Sequence, residues 1–124
     1  MKKILVVGGT GFIGYHVIKL ARKKNWKIYS ISLNKPKKKR FHRGVSYILA
    51  DLTNYKSLKK NIRQNFDYVV NAGGYGNKTA FNSHFLGTLN LVKAIPKKKL
   101  KKFVQIGSSA EYGNIKAPQA EKFK

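Results

Sequence analysis

Apolar runs and helical apolar stripes alternate along the whole chain. Short apolar segments predict strands, and longer segments with apolar residues three or four positions apart predict helices. The predicted strands are 3–7, 27–32, 45–50, 67–72 and 102–107, and the predicted helices are 12–23, 55–64 and 79–95. Because strands alternate with helices, the pattern predicts an α/β fold with a parallel sheet. Right-handed crossovers favour a doubly wound sheet with its five strands in the order 3-2-1-4-5.

The end of the first predicted strand carries a glycine cluster. The run Ile4–Val7 is followed by Gly8, Gly11 and Gly14, which are spaced G-x-x-G-x-x-G at the start of the first predicted helix. A turn with so little side-chain bulk leaves backbone N–H groups and the positive end of a helix dipole facing one point, which suits a dinucleotide pyrophosphate. A glycine-rich turn that binds nothing is the alternative, but the strand before it and the helix after it favour binding.

Two further glycine-rich segments follow predicted strands, at 72–76 and 107–113. The carboxyl ends of parallel strands lie at one edge of a sheet, so both segments are expected to meet the cluster at 8–14. A doubly wound sheet places its ligand crevice where the strand order reverses, beside the first strand. The sequence therefore predicts one crevice over the ends of strands one and four.

Positive charge dominates the composition, with 27 Lys and Arg against 4 Asp and Glu and a formal net charge of +23. Such a charge attracts polyanions at long range. The two densest basic runs, 35–40 and 97–102, fall between apolar segments and contain no interleaved aromatic residues for base stacking. We therefore interpret both runs as solvated loops and do not expect a nucleic-acid partner.

The chain contains no cysteine, and its apolar runs are far shorter than the roughly 18 residues of a membrane span. The apolar part of the basic start is too short for a signal peptide. We expect a single domain over 1–124, a cytoplasmic location and no membrane contact.

Six segments, taken in order, carry a family resemblance. They are Gly8–Gly14, Asp51–Leu52, Asn71–Gly73, Gly87–Leu91, Phe103–Gly107 and Ser108–Gly113. Together they resemble the extended short-chain dehydrogenase/reductases, specifically the NAD(P)-dependent nucleotide-sugar epimerase/dehydratase group. The resemblance implies a Rossmann-type fold, an NAD(P) cofactor and hydride transfer at a carbon of a nucleotide sugar. It also implies that the chain holds the cofactor-binding part and stops before the substrate-binding part.

The resemblance assigns a cofactor-binding role to residues around the predicted crevice. They are Gly8, Thr10, Gly11, Phe12, Ile13, Gly14, Ser32, Asn34, Lys35, Asp51, Leu52, Asn71, Ala72 and Gly73. Asp51 and Leu52 stand where the family meets the adenine ring. Ser32 stands where the family usually carries an acidic residue that binds the ribose hydroxyls of NAD. A serine does not repel a 2′-phosphate, so the resemblance favours NADP over NAD.

Two residues carry candidate chemistry by the same resemblance. Ser108 stands where the family places a serine or threonine that hydrogen-bonds the reacting hydroxyl, although a strand-end serine that only satisfies backbone groups is the alternative. His84 replaces an asparagine frequent in the family, and it either exchanges a proton at the site or has no chemical role. The family's dehydratases carry an acidic residue two positions after the serine, where this chain has Ala110. Epimerisation or reduction is therefore favoured over elimination.

The family's catalytic Tyr-x-x-x-Lys pair lies on a helix beyond the serine motif. Tyr112 and Lys116 have that spacing. However, Tyr112 already matches the Tyr-Gly that ends the serine motif, and Gly113 and Asn114 disfavour a helix there. We therefore expect the pair to be missing, so that the chain alone binds cofactor with little catalysis.

The predicted helix 79–95 has a broad apolar face. Its stripe consists of Phe81, Phe85, Leu89 and Val92, widened by Leu86, Leu91 and Ile95. The family commonly dimerises through this helix and the tyrosine-bearing one, so with the second helix missing we expect an uncovered patch and a homodimer.

Two alternatives to the enzyme stay open: a non-catalytic dinucleotide-binding module or sensor, and a basic nucleic-acid-binding protein of the same fold.

Overall fold

The computed structural model describes residues 1–74, 82–108 and 114. Five parallel strands form one sheet in the order β3-β2-β1-β4-β5, which confirms the predicted Rossmann-type order. The elements are β1 (Lys3–Val7), α1 (Phe12–Lys23), β2 (Lys27–Ser32), a 3₁₀ turn (Lys38–Arg40), β3 (Ser46–Leu49), α2 (Tyr55–Asn61), β4 (Tyr68–Asn71), a π-helical turn (Asn82–Leu86), α3 (Gly87–Ala94) and β5 (Lys102–Gln105).

The central strand β1 explains why the sequence needs an unbroken apolar run. Leu5 pairs with Tyr29 of β2 on one side and Val69 of β4 on the other. Successive residues of β1 enter opposite cores, with Leu5 and Val7 on the face of α2 and α3 and with Ile4 and Val6 on the face of α1. A parallel strand covered on both faces has no solvent side, so alternation with polar residues is lost.

The two cores fix the helices against the sheet. On one face, Leu58 of α2 and Leu91 of α3 are fully buried together with Phe66. On the other face, Ile18 and Ala21 of α1 pack on the sheet. Since α1 follows β1 directly, this packing holds the start of α1 at the carboxyl end of β1, where the glycine cluster lies.

Local capping follows the sequence closely. The Asn54 side chain accepts a hydrogen bond from the Ser57 N–H at 3.0 Å and caps α2. After α1, Asn25 adopts a φ of 55°, the left-handed conformation that asparagine tolerates at helix ends. At the amino end of the sheet, the Lys3 N–H donates to Asp67 at 2.8 Å and, with Lys101, lowers the pKa of that carboxyl below its ordinary value.

Several predicted boundaries are corrected. Helix α2 ends at Asn61 rather than residue 64, because Ile62 leaves helical geometry with a ψ of 82° and enters the core. The last three strands are shorter than predicted, because the apolar pattern continues into the exit loops, where Ala50 and Ala72 still donate to the neighbouring strands. The basic run 35–40, predicted to be a loop, contains the 3₁₀ turn, in which the Arg40 N–H donates to the Lys37 carbonyl at 2.8 Å.

The predicted helix 79–95 is only partly within the described residues, since 79–81 lie outside them. From Asn82 it begins as a π-helical turn and continues as α3, which ends at Ala94 before Pro96. Leu91 and Ile95 are buried, whereas Phe85, Leu89 and Val92 are exposed. The broad apolar face is therefore covered on one side only. Among the described residues, no helix combines the length and the apolar character that crossing a membrane requires.

Candidate functional site

At two positions of the glycine cluster, Gly8 and Gly14, the surrounding backbone leaves no room for a side chain. Gly8 has a φ of 77°, and a Cβ there would lie 2.7 Å from the Ala72 carbonyl oxygen. A Cβ on Gly14 would lie 2.7 Å from the Gly8 carbonyl carbon and from Gly9 Cα. Both distances are far below a van der Waals contact, so the absence of a side chain lets α1 start directly against the turn.

Gly11 differs from its two neighbours in the motif. Its φ of −79° is ordinary, and an added Cβ would meet only the Gly8 carbonyl oxygen, at 3.3 Å. Gly11 also occupies the N-cap of α1, which carries no side-chain capping hydrogen bond. The positive end of the helix dipole is therefore not covered by a capping side chain. A side chain at Gly11 would therefore require only a small shift of the Gly8 carbonyl, whereas at Gly8 and Gly14 it would overlap the backbone.

A cavity of about 180 Å³ lies over the carboxyl ends of β1 and β4. It is lined by strand-exit residues and one residue after β3: Val7, Gly8, Thr10, Gly11, Ile31, Ser32, Leu52, Ala72, Gly73 and Gly74. The predicted crevice is thus present at the reversal of strand order. Gly8, Thr10, Gly11, Ser32, Leu52, Ala72 and Gly73 of the predicted set line it. The Thr10 N–H approaches Ser32 Oγ at 3.4 Å, which joins two sides of this cavity.

Other members of the predicted set lie around the cavity rather than in its wall. Phe12, Ile13 and Gly14 form the first turn of α1, where Phe12 and Ile13 are exposed. Asn34 is exposed in the loop after β2. Lys35 lines a separate cavity beside β3, together with Pro36, Phe41, Tyr47 and Leu49.

Asp51 is held by its own loop. Its Oδ1 accepts hydrogen bonds from the Thr53 N–H and from Thr53 Oγ1, both at 2.8 Å. The next residue, Leu52, is the one that reaches the cavity. Its carbonyl accepts from Asn90 Nδ2 at 2.9 Å, so α3 fixes this apolar wall.

Asn71 is buried and supports the cavity from behind. Its Nδ2 donates to Gln105 Oε1 at 2.9 Å and to Thr88 Oγ1 at 3.2 Å, while its Oδ1 accepts from the Gly73 N–H at 3.1 Å. One side chain therefore ties β4 to β5 and α3 and orients Gly73 in the cavity wall.

Arg40 contacts the glycine turn, which the sequence reasoning did not predict. Its guanidinium donates to the Thr10 carbonyl at 3.2 Å and brings a positive charge to this turn, whose Thr10 N–H meets Ser32 Oγ. Its only sequence signal is that it is the one arginine in the run 35–40, which consists otherwise of lysines and Pro36. The 3₁₀ turn at Lys38–Arg40 is what returns the loop to the site.

A second cavity, of about 400 Å³, contains the candidate chemical residues. It is lined by His84, Thr88, Gln105, Ile106, Gly107 and Ser108. A Cβ on Gly74 would clash with the His84 ring, so that ring packs directly against Gly74. Because Gly74 lines the first cavity and His84 the second, the two cavities are neighbours. His84 therefore lines the second cavity, and both interpretations of this residue stay predictions. Glu111, Tyr112 and Lys116 lie outside the described residues.

Comparisons with known proteins agree with this geometry. A family model described as the NAD dependent epimerase/dehydratase family matches residues 4–124. An isoflavone reductase homolog, A622 of Nicotiana tabacum, is 27% identical over 98% of this chain and 40% of its own length. A bifunctional UDP-glucose 4-epimerase and UDP-xylose 4-epimerase of Pisum sativum is 27% identical over 99% of this chain and 41% of its own.

The solved structure of the Bordetella bronchiseptica enzyme WbmH in complex with NAD⁺ has the same fold. It matches all of this chain and 46% of its own with a TM-score of 0.84 and 21% identity. The chain therefore spans less than half the length of these proteins.

Proposed function

Because the chain belongs to the NAD-dependent epimerase/dehydratase family, we propose that it forms the cofactor-binding part of an NAD(P)-dependent enzyme that epimerises or reduces a nucleotide sugar. The observation that carries the proposal is the glycine-lined cavity at the reversal of strand order. Its residues fit a dinucleotide, because Gly11 leaves room where a pyrophosphate would approach the start of α1. When bound, a nicotinamide cofactor supplies the hydride-transfer chemistry.

The chain's own residues position the reactants. Leu52 provides an apolar wall for the adenine ring, and Gly73, which also lines the cavity, is held by Asn71. Ser108 lies in the neighbouring cavity, where its hydroxyl would hold the reacting group of the substrate. In this arrangement the cofactor cavity and the substrate cavity meet at Gly74 and His84.

A nucleotide sugar is the favoured substrate, and a small molecule to be reduced is the second candidate. The name of the pea relative supports the first, and the name of the tobacco relative supports the second. The full-length protein supplied with UDP-glucose would separate them. With NADP⁺ supplied, conversion to the 4-epimer without net formation of NADPH supports epimerisation, because the hydride taken from the sugar is returned to it. No conversion of UDP-sugars directs the search to reduction, which is assayed with NADPH.

We propose further that the cofactor is NADP, with Arg40 as the residue that selects it. The guanidinium contacts Thr10 of the glycine turn, and Ser32, which contacts the same residue, carries no negative charge that would repel a 2′-phosphate. Arg40→Ala is expected to weaken NADPH binding about tenfold, because a hydrogen bond to a charged group contributes about 1.5–3 kcal/mol. NADH binding should stay unchanged, and titrations of nicotinamide fluorescence measure both affinities.

Lys38→Ala is the matched control for Arg40→Ala, since Lys38 is an exposed cation on the same turn. It should leave both affinities as they are. An equal loss of NADPH and NADH affinity in Arg40→Ala would contradict the selective role, because it would mean that Arg40 only supports the Thr10 backbone.

We also propose that the chain self-associates through α3. Phe85, Leu89 and Val92 form one stripe and are 57%, 42% and 40% exposed. Leu89→Lys places a charge in this stripe and should weaken association at least about tenfold, because burying an unpaired ammonium is unfavourable. Sedimentation velocity over a range of protein concentrations measures the effect.

Leu20→Lys serves as the control for Leu89→Lys, since Leu20 is 60% exposed on the outer side of α1. It should associate like the unmodified protein. A protein that sediments as a monomer at the highest concentrations would rule out the proposed association.

A further inference from the structure

The outer side of α1 and the loop after β2 form one continuous surface, which we call the α1–loop face. It consists of Tyr15, Lys19 and Arg22 on α1 and of Lys37, Lys38, Lys39, Phe41, His42 and Arg43 in the loop. The Arg22 guanidinium donates to His42 Nδ1 at 3.0 Å and joins its two halves. No acidic residue occurs between positions 1 and 50, so no carboxylate from these residues reduces the positive charge.

Aromatic rings lie among these cations. Tyr15 stacks on His42 with ring centroids 5.1 Å apart and an interplanar angle of 11°. Phe41 stacks on Tyr47 at 5.6 Å, and 55% of Phe41 is exposed. A cavity of about 220 Å³ opens beside these two rings, lined also by Lys35, Pro36 and Leu49. The face therefore offers both ring surfaces and positive charge to a ligand.

The His42 ring adds an aromatic surface rather than another charge. Burial, followed by the positive charges of Arg22 and Lys19, lowers the pKa of His42 below its ordinary value. The ring is therefore neutral at pH 7, and its stack with Tyr15 does not increase the repulsion among the neighbouring cations.

The basic run alone does not reveal this arrangement. The run 35–40 contains no aromatic residue of its own. The fold supplies the missing rings from elsewhere, because Tyr15 comes from α1 and Tyr47 from β3. Aromatic and basic groups thus lie side by side on the folded surface, although they do not alternate along the run 35–40.

We propose that the α1–loop face binds single-stranded nucleic acid, independently of the cofactor-binding function. Cations that follow a phosphate backbone and exposed rings on which bases stack are the two features that such sites combine. An acidic protein or an anionic membrane would use the charge but would not require the exposed ring of Phe41. Duplex nucleic acid would also use the charge through its phosphates, but its bases stay paired and would not stack on Phe41.

The second basic run provides an internal control for charge. Lys98, Lys99 and Lys102 are exposed, like Lys37, Lys38 and Lys39. Within that run, Leu100 packs against the core, and Lys101 lies 3.4 Å from Asp67. The run therefore carries comparable charge without an exposed aromatic ring of its own.

The test measures binding of a short fluorescein-labelled oligouridylate by fluorescence anisotropy, with NADPH present at saturation. Phe41→Leu should weaken binding about five- to tenfold, in line with the stacking contribution of one base. Phe41→Trp should retain the affinity, because it keeps a ring. Inorganic polyphosphate, which has charge and no bases, should bind Phe41→Leu and the unmodified protein equally. Thermal unfolding confirms that each variant is folded.

The charge variants complete the experiment. Neutralising Lys37, Lys38 and Lys39 to glutamine should reduce oligouridylate affinity far more than the same change at Lys98, Lys99 and Lys102. Equal losses from the two sets would overturn the proposal, because they would indicate attraction by net charge alone. Full affinity in Phe41→Leu, or displacement of the oligonucleotide by NADPH, would overturn it as well, the latter by placing the oligonucleotide in the cofactor cavity.

Discussion

Gly14→Ala should abolish NADPH binding and destabilise the protein, whereas Gly11→Ala should weaken binding and leave stability nearly unchanged. At Gly14 the new methyl group would overlap the Gly8 backbone, with Gly9 Cα only 2.7 Å away. Relief requires α1 or the turn to move, and such overpacking costs about 1–3 kcal/mol. At Gly11 the nearest atom would be the Gly8 carbonyl oxygen at 3.3 Å, which the turn can accommodate.

The loss at Gly11 has a different origin, namely the space that a pyrophosphate would occupy at the start of α1. We expect at least about a tenfold weaker NADPH affinity, equivalent to about 1.4 kcal/mol. Titrations of NADPH fluorescence and thermal unfolding of the same samples separate the two effects. If Gly11→Ala binds NADPH with unchanged affinity, the backbone at that position does not approach the cofactor.

Gly44→Ala is the control for a glycine that matters only for backbone conformation. Gly44 has a φ of 86°, and an added Cβ would meet no atom within 4 Å. Its substitution should cost about 1 kcal/mol of strain and leave NADPH affinity unchanged, because the residue lies in the loop before β3. A loss of affinity there would indicate that any destabilisation of the chain reduces binding.

The sequence predicted the sheet because the signals for it are local. The unbroken run Ile4–Val7 indicates a strand buried on both faces, and the glycines after it indicate a sharp turn into α1. Asn54 supplies its cap to a neighbour three residues away. Strand order then follows from the handedness of the connections, which requires no knowledge of side-chain contacts.

The residues that were missed act across long sequence distances. Arg40 meets Thr10, and Tyr15 meets His42, only after the loop behind β2 has folded along α1. A basic run gives no indication of which cation will reach the glycine turn. Lys35, to which the resemblance assigns a cofactor-binding role, lines the cavity beside Phe41 and Tyr47, and that role stays a prediction.

Asn71 illustrates how a motif residue can be found from sequence while its contacts are not. Its position at the end of β4 marks it as part of the site, and the structure shows it 1% exposed with three hydrogen bonds to protein groups. The sequence interpretation placed it among the cofactor-binding residues. Its geometry instead suggests an indirect contribution, through the Gly73 backbone.

Asn71→Leu should therefore lower both stability and NADPH affinity. The leucine is close in size but leaves Gly73 N–H, Thr88 Oγ1 and Gln105 Oε1 without this partner, and each lost hydrogen bond costs about 0.5–1.5 kcal/mol. Neighbouring groups compensate in part. We therefore expect the free energy of unfolding to fall by about 2–4 kcal/mol, which denaturant unfolding measures. NADPH affinity should fall about tenfold, because the Gly73 wall is no longer oriented.

Asn61→Leu provides the same substitution away from the cavity. Its Nδ2 donates only to the Ser57 carbonyl within α2 among the described residues, at 2.8 Å, so the variant should bind NADPH normally. Thr88→Val removes one of the three partners of Asn71 and should produce a smaller change of the same kind. An Asn71→Leu protein that unfolds like the unmodified chain but no longer binds NADPH would identify Asn71 as a direct cofactor contact. A less stable protein with full affinity would instead show that Gly73 keeps its place without Asn71, and that the network joins β4, β5 and α3 without orienting the site.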